Sequence, residues 1–427
     1  MFTARTRSLI PACAVLCGLL IPAAANATNY VSNSPIVSGG NSCAQPGFNS
    51  IQAALGATGG AKVTVCPGTY TEQLTITKPA KIVVSGTPGS AKLVLPASTS
   101  PNVTNCDKKA AEAGFQADES AISICGAVTV GITGLTVEAK WPEGKCYDSL
   151  YGIRVAGGAT LVATNVTVDG AGAFPINGCQ GGVGIQAGTT RTTPSERGNL
   201  KLKGVTVRNY QKNGITIAGS VSTANIANTT VEGAGATPAI AQNGIQVSGG
   251  AVAKIKSVNV SGNECDNAAC GPDGFSQTQS TGLLFFGAAP GSTVTSSTIS
   301  GNDIGAYYIS EAASQPSSPE LALNKDVFSG NRYEGVALDQ GDASLKSDTI
   351  NGPGEVGIEI YQYEGQTLSS QSSASGAKIE GMSEAGIRVA SDKAAGDKPG
   401  KFTISKSTFT SDATVLNNES SNFEVVF

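Results

Sequence analysis

Histidine is missing from all 427 residues of the chain. Without an imidazole there is no histidine general base, no Ser-His-Asp or Cys-His arrangement and no histidine metal site. The reactions that remain open are a lyase reaction with a lysine or arginine base and a glycosidase reaction with two carboxylates.

Clusters of positive charge are also missing from the sequence. The formal net charge is −4, and no basic stripe runs along the chain. This mild acidity argues against a nucleic-acid or general polyanion partner. The sequence also contains no phosphate-cradling loop, no nucleotide-binding fingerprint and no lipid-attachment cysteine at the signal cleavage site.

Long apolar runs are missing beyond the first thirty residues. Arg5 and Arg7 precede an apolar stretch over Leu9–Ile21, and small residues follow it up to Ala27. This layout is typical of a cleavable secretory signal, and the stretch is too short for a membrane anchor. We therefore expect residues 1–27 to be removed and the mature chain to start near Thr28. The prediction is a soluble, secreted protein, extracellular or periplasmic, without a membrane span.

Two of the ten cysteines lie in the predicted signal, which leaves eight in the mature chain. An even number behind a secretory signal predicts four disulfides, although eight cysteines allow 105 pairings. A metal site is disfavoured because the chain has no histidine and no C-x-x-C pair. Pairing of sequence neighbours would staple the N-terminal end and three loops, through Cys43–Cys66, Cys106–Cys125, Cys146–Cys179 and Cys265–Cys270.

Glycine, in contrast, is abundant, with 54 copies, while aromatic residues make up only 5% of the chain. Nine glycines open short strands of alternating apolar and polar or small residues, at separations of 32, 30, 30, 38, 23, 30, 22 and 29 residues. A period in this range indicates a solenoid whose units bury their apolar faces by stacking. The nine anchors are Gly152, Gly184, Gly214, Gly244, Gly282, Gly305, Gly335, Gly357 and Gly386.

A second segment, rich in Asn, Thr, Ser and Val, recurs between most anchors, as in residues 164–168 and 228–232. Two short, β-branched strands and a turn in each period predict a coil of strands rather than a helical repeat or a propeller. Glycine and asparagine supply the positive φ that tight corners need. We expect such corners at Asn213-Gly214, Asn243-Gly244, Gly262-Asn263, Gly301-Asn302 and Gly330-Asn331.

The N-terminal part resembles a known superfamily through the run FNSIQAALGATGGAKVTVCPGTYTEQLTITKPAKIVVSG, residues 48–86. This run is similar to the opening of pectin lyase-like right-handed parallel β-helix proteins, in which a cap helix covers the first coil. The resemblance implies an all-β fold, a right-handed parallel β-helix, with roughly ten coils. Residues 28–100 are then the N-terminal cap, with a helix over Phe48–Leu55, and the first coils. Residues 101–427 are then the repeats with disulfide loops and a C-terminal cap.

Two segments interrupt the period, at residues 101–150 and at residues 264–279. We expect the first to form a loop-rich bulge on one side of the solenoid. Long insertions in solenoids often gather on the binding face, although disulfide loops that merely cover the sides are the simpler interpretation.

No enzyme family of this superfamily is matched. The Gly-His-Gly element of polygalacturonases, the Asp-Pro-His triplet of mannuronan epimerases and the Trp-Ile-Asp-His motif of pectate lyases are absent. Residues 303–306 do not match the Asp-Phe-Ile-Phe-Gly element of pectin methylesterases. The resemblance therefore implies a fold and no particular activity.

Candidate site residues come from the expected register. In stacked coils, equivalent positions lie about 4.8 Å apart, so outward positions can form a site from successive repeats. The second and fourth positions after each glycine should point outward, and on the last coils they gather Tyr307, Asp339, Glu359, Tyr361 and Arg388.

These five residues suit a polysaccharide. Asp339, Glu359 and Arg388 are the candidate catalytic residues, and Tyr307 and Tyr361 are the candidate substrate-binding residues, since a ring stacks on a pyranose. The carboxylates could equally bind calcium, although no motif indicates a metal or a cofactor. The alternative is an ordinary cross-strand ion pair of Glu359 and Arg388 on a solvated face.

Two functions follow. The first is a secreted protein that engages extracellular polysaccharide along one face as a lyase or a glycoside hydrolase. The alternative is a non-catalytic surface, matrix or adhesion protein, favoured by the missing enzyme motifs. If Glu359 is a surface residue, Glu359→Gln should abolish only activity and change stability by at most about half a kcal/mol.

Overall fold

Successive β-strands occupy almost the whole chain. The computed structural model describes residues 29–427 except 59–61, 103, 115, 142–145, 147–148, 267–279, 310–320, 340, 363–371, 392–399 and 422. Its two helices are α1 (Ile51–Thr58) and α2 (Asn105–Glu112). Neither of these described helices is long or apolar enough to span a bilayer.

The strands follow one another at short intervals. The first twelve are β1 (Asn29–Val31), β2 (Lys62–Val65), β3 (Gly68–Thr71), β4 (Leu74–Ile76), β5 (Ala80–Val84), β6 (Ala91–Val94), β7 (Glu119–Cys125), β8 (Thr129–Thr133), β9 (Leu135–Trp141), β10 (Leu150–Ala156), β11 (Thr160–Thr164) and β12 (Thr167–Ala173). The next twelve are β13 (Val183–Ala187), β14 (Asn199–Lys203), β15 (Thr206–Arg208), β16 (Asn213–Ala218), β17 (Thr223–Ala227), β18 (Thr230–Thr237), β19 (Asn243–Ser248), β20 (Val252–Lys256), β21 (Asn259–Cys265), β22 (Thr281–Phe286), β23 (Ser292–Thr295) and β24 (Thr298–Asn302). The remaining twelve are β25 (Ile304–Ile309), β26 (Leu321–Asn324), β27 (Val327–Ser329), β28 (Glu334–Asp339), β29 (Ala343–Lys346), β30 (Thr349–Gln362), β31 (Ser372–Ser375), β32 (Lys378–Ser391), β33 (Gly400–Ser405), β34 (Thr408–Thr410), β35 (Leu416–Asn418) and β36 (Phe423–Val426).

Each full coil contains three strands, which we call its first, second and third strand, as in β10, β11 and β12. Strands at the same position in neighbouring coils pair in parallel. The second strands form a 14-stranded sheet. The first and third strands share a 22-stranded sheet, because β30 and β32 each continue from the third strand of one coil into the first strand of the next. The predicted right-handed parallel β-helix is confirmed.

Eleven rungs, from β5 to β33, belong to full three-strand coils, against the roughly ten coils that the sequence predicts. The 14-stranded sheet has one strand per rung and therefore fourteen rungs in all. Ten of these rungs, from β11 to β36, follow the first glycine anchor at Gly152. The rungs of β1, β2, β5 and β8 precede it and carry no such anchor, so the glycine period did not reveal them.

Helix α1 begins at Ile51, three residues later than the sequence predicts. Its N-terminus is held by Glu72, whose carboxylate accepts hydrogen bonds from the backbone N–H groups of Ile51 (2.8 Å) and Gln52 (3.0 Å). Ser50 Oγ accepts a further bond from Ala53 N at 3.2 Å, which is the usual role of an N-cap serine. Ile51, Ala54 and Leu55 join the main hydrophobic core.

The core fills the inside of the coil with aliphatic ladders. Inward residues of the first strands, such as Ile153, Ile185 and Ile215, stack in register and are fully buried. They alternate with the outward residues, as the period of a β-strand requires. The inward residues are thus the first and third after each anchor glycine, as in Ile153 and Val155.

The nine anchor glycines are required by close approach. A Cβ atom added at Gly152 would lie 2.5 Å from the Gly184 carbonyl oxygen and 2.6 Å from Cγ1 of Val168. The same two kinds of neighbour, a carbonyl of the next coil and a branched side chain of the third strand, meet a Cβ at Gly214 and Gly357. Asn213-Gly214 therefore lies inside strand β16, and its prediction as a corner is wrong, as is that of Asn243-Gly244 in β19.

The corners between the second and third strands are built by single left-handed residues. Asn165, Asn228 and Ser257 have φ values of 50°, 49° and 53°. A short polar side chain tolerates this conformation better than a large or branched one. The corners predicted at Gly262, Gly301 and Gly330, in or directly after the third strands, are confirmed by φ values of 70°, 58° and 59°.

Three of the four neighbour-paired disulfides are present among the described residues: Cys43–Cys66, Cys106–Cys125 and Cys146–Cys179. Cys265 is also disulfide-bonded, and Cys270 lies outside the described residues. The Cys106–Cys125 bond joins helix α2 to strand β7.

The segment 101–150 is more regular than expected. It contains helix α2 and the three strands β7, β8 and β9 of a complete coil. Trp141 ends β9 and is buried, and its Nε1 donates a 2.6 Å hydrogen bond to Oε1 of Glu119. The prediction of a loop-rich bulge is therefore wrong for the described residues. The coil was not recognised in the sequence because its strands lack the glycine anchor that marks later coils. Residues 267–279 of the second interruption lie outside the described residues.

Candidate functional site

The outward face of the first strands carries the predicted column of second positions after each glycine. The register pairs these residues one by one along nine coils. The column consists of Arg154, Gln186, Thr216, Gln246, Leu284, Tyr307, Ala337, Glu359 and Arg388. Its two ends carry charged residues, Gln186, Thr216 and Gln246 form a polar run next to Arg154, and Leu284 and Ala337 are apolar.

At the C-terminal end, the five predicted site residues come together. Tyr307 Oη donates a 3.4 Å hydrogen bond to Oδ2 of Asp339, and the rings of Tyr307 and Tyr361 lie 6.2 Å apart. Arg388 Nε lies 2.8 Å from Oε2 of Glu359 on the neighbouring strand. The predicted cross-strand ion pair is thus present, within a group that we call the carboxylate–tyrosine cluster.

Glu334 completes this cluster and was missed by the sequence analysis. Tyr361 Oη donates a 3.2 Å hydrogen bond to its Oε1. Glu334 directly precedes the anchor Gly335 and so occupies a third outward column, paired with Val356 of the next coil. The outward positions before each glycine are the signal that could have identified it.

The carboxylate–tyrosine cluster is covered, whereas the sequence predicts an open face. Glu359 is 0% exposed, Glu334 and Tyr361 are 1% exposed, and Asp339 is 5% exposed. In this arrangement the carboxyl groups of Glu334 and Glu359 do not meet solvent. The catalytic role predicted for Asp339, Glu359 and Arg388 stays a prediction.

Burial controls the protonation of this cluster. It raises the pKa of Glu334 well above its usual value, and the negative charge of Glu359 adds to the shift. Burial also raises the pKa of Glu359, while Arg388 opposes the shift. Two neighbouring buried carboxyl groups favour a state in which only one of them is ionised. Arg388 stabilises the ionised form of Glu359. Glu334 therefore favours its protonated form.

At the N-terminal end of the column, Arg154 is buried in an ion network. Its Nε lies 2.8 Å from Oδ2 of Asp118, and its Nη2 lies 3.2 Å from Oε2 of Glu196. Its Nη1 donates to the backbone oxygens of Val155 and Gly188. All these donors face protein acceptors, which gives Arg154 a structural role.

Between the two charged ends lies a groove of about 150 Å³, which we call the polar groove. Amide, hydroxyl and cationic side chains dominate its walls, and no described carboxylate lines it. The lining residues are Tyr151, Gln180, Val183, Gln186, Thr189, Thr190, Arg191, Lys212, Asn213, Thr216, Ala218, Gln246 and Ser248.

The amides of the polar groove are held by each other. Asn213 Nδ2 donates to Oε1 of Gln246 (2.8 Å) and to Oγ1 of Thr216 (3.0 Å). Asn243 Nδ2 in turn donates to Oδ1 of Asn213 at 3.0 Å. A hydrogen-bonded ladder of this kind fixes side-chain orientations before a ligand arrives.

Two cations border the polar groove. Arg191 Nη1 donates to Oγ of Ser149 (3.0 Å) and to Oη of Tyr151 (3.4 Å). Lys212 Nζ donates to the Ala241 carbonyl oxygen at 2.9 Å, and burial lowers the pKa of Lys212. The groove can thus accept hydroxyl groups and a negative charge together.

The sequence placed Gln186, Thr216 and Gln246 in the outward column without selecting them. The available signal was the polar run at three successive second positions. Arg191 and Lys212 lie on connecting segments, whose approach to the column does not follow from strand register. Among the described residues, no group of three or more cysteine, aspartate or glutamate side chains is placed to hold a metal ion.

Comparison with known proteins agrees with the fold. The family model of the right-handed β-helix region matches residues 194–373. A search of curated proteins gave no match. The solenoid and this match confirm the resemblance to the right-handed parallel β-helix superfamily.

Several solved structures are similar to this chain at low sequence identity. The catalytic domain of a GH87 α-1,3-glucanase in complex with tetrasaccharides has a TM-score of 0.56 and 12% identity, over 93% of this chain and 68% of that one. The Agl-KA catalytic domain has a TM-score of 0.57 and 13% identity, over 88% of this chain and 64% of that one. The periplasmic alginate epimerase AlgG has a TM-score of 0.43 and 12% identity, over 86% and 76%. At these identities the similarity concerns the fold.

Proposed function

We propose that this chain is a secreted protein that engages extracellular polysaccharide in the polar groove. The observation that carries the proposal is the preformed ladder of Asn213, Thr216 and Gln246 beside Arg191 and Lys212. The amides and hydroxyls suit sugar hydroxyl groups, and the two cations suit the carboxylate of a uronate. The α-1,3-glucanase neighbour, solved with tetrasaccharides, agrees with this class of ligand. The disulfides agree with secretion, since disulfides persist in oxidising compartments.

Binding is tested by calorimetric titration of the purified protein with polygalacturonate and with a neutral glucan. Arg191→Gln and Gln246→Ala should each weaken polygalacturonate binding by about tenfold, which corresponds to about 1.4 kcal/mol. Lys378→Gln is the matched control, because Lys378 is exposed on a third strand away from the groove. Binding that survives both groove substitutions unchanged would show that the groove is not the site.

One observation favours catalysis by a lyase over a hydrolase. Lys212 borders the polar groove with a lowered pKa, whereas no described carboxylate lines it. Lys212 in its deprotonated form, which the lowered pKa makes more accessible, can take the proton next to a uronate carboxylate whose charge Arg191 balances. The electron pair then forms a C=C bond as the glycosidic oxygen leaves, and the proton returns to that oxygen.

The lyase step is tested separately from binding. Uronate-containing polysaccharides are incubated with the protein, and the absorbance of unsaturated products and new reducing ends are both followed. Unsaturated product that is lost in Lys212→Met and kept in Lys378→Met supports the lyase. New reducing ends without unsaturation would identify a hydrolase. Retained binding with no product would establish the non-catalytic surface or adhesion protein.

A further inference from the structure

A second surface, on the other sheet, concentrates positive charge. Strand β14 carries Lys201 and Lys203, and strand β20 carries Lys254 and Lys256. These residues alternate with buried leucine, alanine and isoleucine side chains, so all four lysines point outward, and all four are exposed. The sequence shows no basic stripe because about fifty residues separate the two pairs.

The register turns the two pairs into a two-by-two array. Lys201 pairs with Asn225 of β17, which pairs with Lys254, and Lys203 reaches Lys256 through Ala227 in the same way. The pairs are therefore two rungs apart, about 9.6 Å at the usual strand spacing. We call these four residues the lysine array.

The lysine array is free of opposing charge. It lies along an open groove of about 560 Å³ whose other outward lining includes Val162, Thr164, Asn225, Thr293 and Thr295. No aspartate or glutamate lines this groove, and none of the four lysines forms an ion pair within the described part of the chain. The surrounding chain has a net charge of −4, so the array is a local concentration of positive charge.

Four like charges held together repel one another and gain by meeting a polyanion. Lysine ammonium groups are mobile point charges that suit distributed anionic groups. The hydroxyl and amide groups of Thr293, Thr295 and Asn225 can bond to sugar hydroxyls. No aromatic side chain lines the groove, so there is no platform on which nucleic-acid bases would stack.

We propose that the lysine array is a second ligand site, distinct from the polar groove, that binds an anionic polysaccharide through its charge. A chain held there runs across the second strands, while the polar groove lies on the outward face of the first strands. One molecule then carries two carbohydrate sites with different selectivity.

The test compares dextran sulfate with uncharged dextran, which have the same backbone. The wild-type protein should bind dextran sulfate in a salt-dependent way and should not bind dextran. The fourfold variant Lys201→Gln, Lys203→Gln, Lys254→Gln and Lys256→Gln should lose at least tenfold in affinity and most of the salt dependence. A control with the same change of net charge replaces Lys78, Lys108, Lys140 and Lys378, four exposed lysines outside the second strands, by glutamine and should bind like the wild type.

A gain of function guards against a loss that comes from misfolding. Asn225 is exposed between Lys201 and Lys254, so Asn225→Lys should strengthen binding of dextran sulfate. The Arg191→Gln variant of the polar groove should leave this binding unchanged, which separates this proposal from the proposed function. Equal loss in the array and control variants, or loss only in Arg191→Gln, would overturn it. Tighter, array-dependent binding of poly-dT would replace the polysaccharide with nucleic acid.

Discussion

At the scale of single residues, short polar side chains link the coils at the corners before the third strands. Asp348 Oδ1 accepts a 2.8 Å hydrogen bond from Asp326 N in the preceding coil, and Asp326 Oδ1 accepts one from Ser297 N. Ser297 Oγ and Ser407 Oγ occupy the same corner position and accept the equivalent bonds. Asp326 and Asp348 thus replace serine as the hydrogen-bond acceptor at this corner position, and both aspartates are fully buried.

These aspartates make stability depend on pH. Burial raises the pKa of Asp348 to about 7 and that of Asp326 to about 6, against about 3.9 in an unfolded chain. Between these values the folded state binds more protons than the unfolded state. The stability that Asp348 contributes is therefore full below about pH 4 and is lost as the pH rises to about 7.

We predict that Asp348→Ser flattens this pH dependence. Serine keeps an acceptor for Asp326 N, as in the neighbouring coils, and does not ionise. The melting temperature of the variant relative to the wild type should be higher at pH 8 than at pH 4, measured by circular dichroism. Asp169→Asn is the control: the pKa of Asp169 is lowered by hydrogen bonds to Asn209 and Arg208, which outweigh its partial burial, so its effect should have the opposite sign. A pH-independent difference for Asp348→Ser would contradict the prediction.

At the scale of strands, the register between neighbouring strands could be read from the sequence, but the burial of their outward residues could not. Counting from each glycine placed Glu359 opposite Arg388 and Tyr307 opposite Ala337. This count works because glycine recurs at the one position of each coil where a Cβ atom does not fit. The burial of Glu359 and Tyr361 depends on contacts that no period encodes. Glu334 was missed because only the second and fourth positions after each glycine were considered, whereas Glu334 directly precedes Gly335.

The burial of Glu359 changes what its substitution should do. Glu359 is 0% exposed beside Arg388, so the premise that it is a surface residue is wrong. Glu359→Gln should lower the free energy of unfolding by about 1–3 kcal/mol, because Arg388 loses its buried charged partner. Glu384 contacts the same Arg388 at 2.8 Å but is 50% exposed, so Glu384→Gln should cost less than about 1 kcal/mol.

Urea unfolding of the two variants measures this difference. Equal losses would show that Glu359 is not held as described. Any activity assay of Glu359→Gln must be normalised to the folded fraction, since lost activity alone would no longer identify a catalytic residue.

At the scale of the whole molecule, each coil pairs only with the coil before it and the coil after it. Stability in such a solenoid is close to a sum of local terms. A lesion in one coil should therefore open that region before the rest of the molecule.

We predict that Gly152→Ala loosens the molecule locally. The added Cβ would meet the Gly184 carbonyl and Val168, a clash that costs about 1–3 kcal/mol. Hydrogen exchange followed by mass spectrometry should lose protection in β7, β10 and β13 while β32 stays protected. Gly56→Ala is the control, because its Cβ meets nothing within 4 Å and alanine favours helix α1. A uniform loss along the chain would indicate a single cooperative unit instead.

The stacked anchor glycines also make it difficult for a strand to recognise its correct coil during folding. A glycine stacked on a glycine looks the same at every level, and the aliphatic ladders behind it are nearly as uniform. A first strand that docks one level too early would find almost the same surface. What tells the levels apart is the set of pairs that occur once: Arg154 with Asp118 and Glu196, Glu359 with Arg388, and the disulfides. These contacts fix the register of the coils. A variant that removes several of them should therefore fold to a mixture of registers, even if each register is well packed.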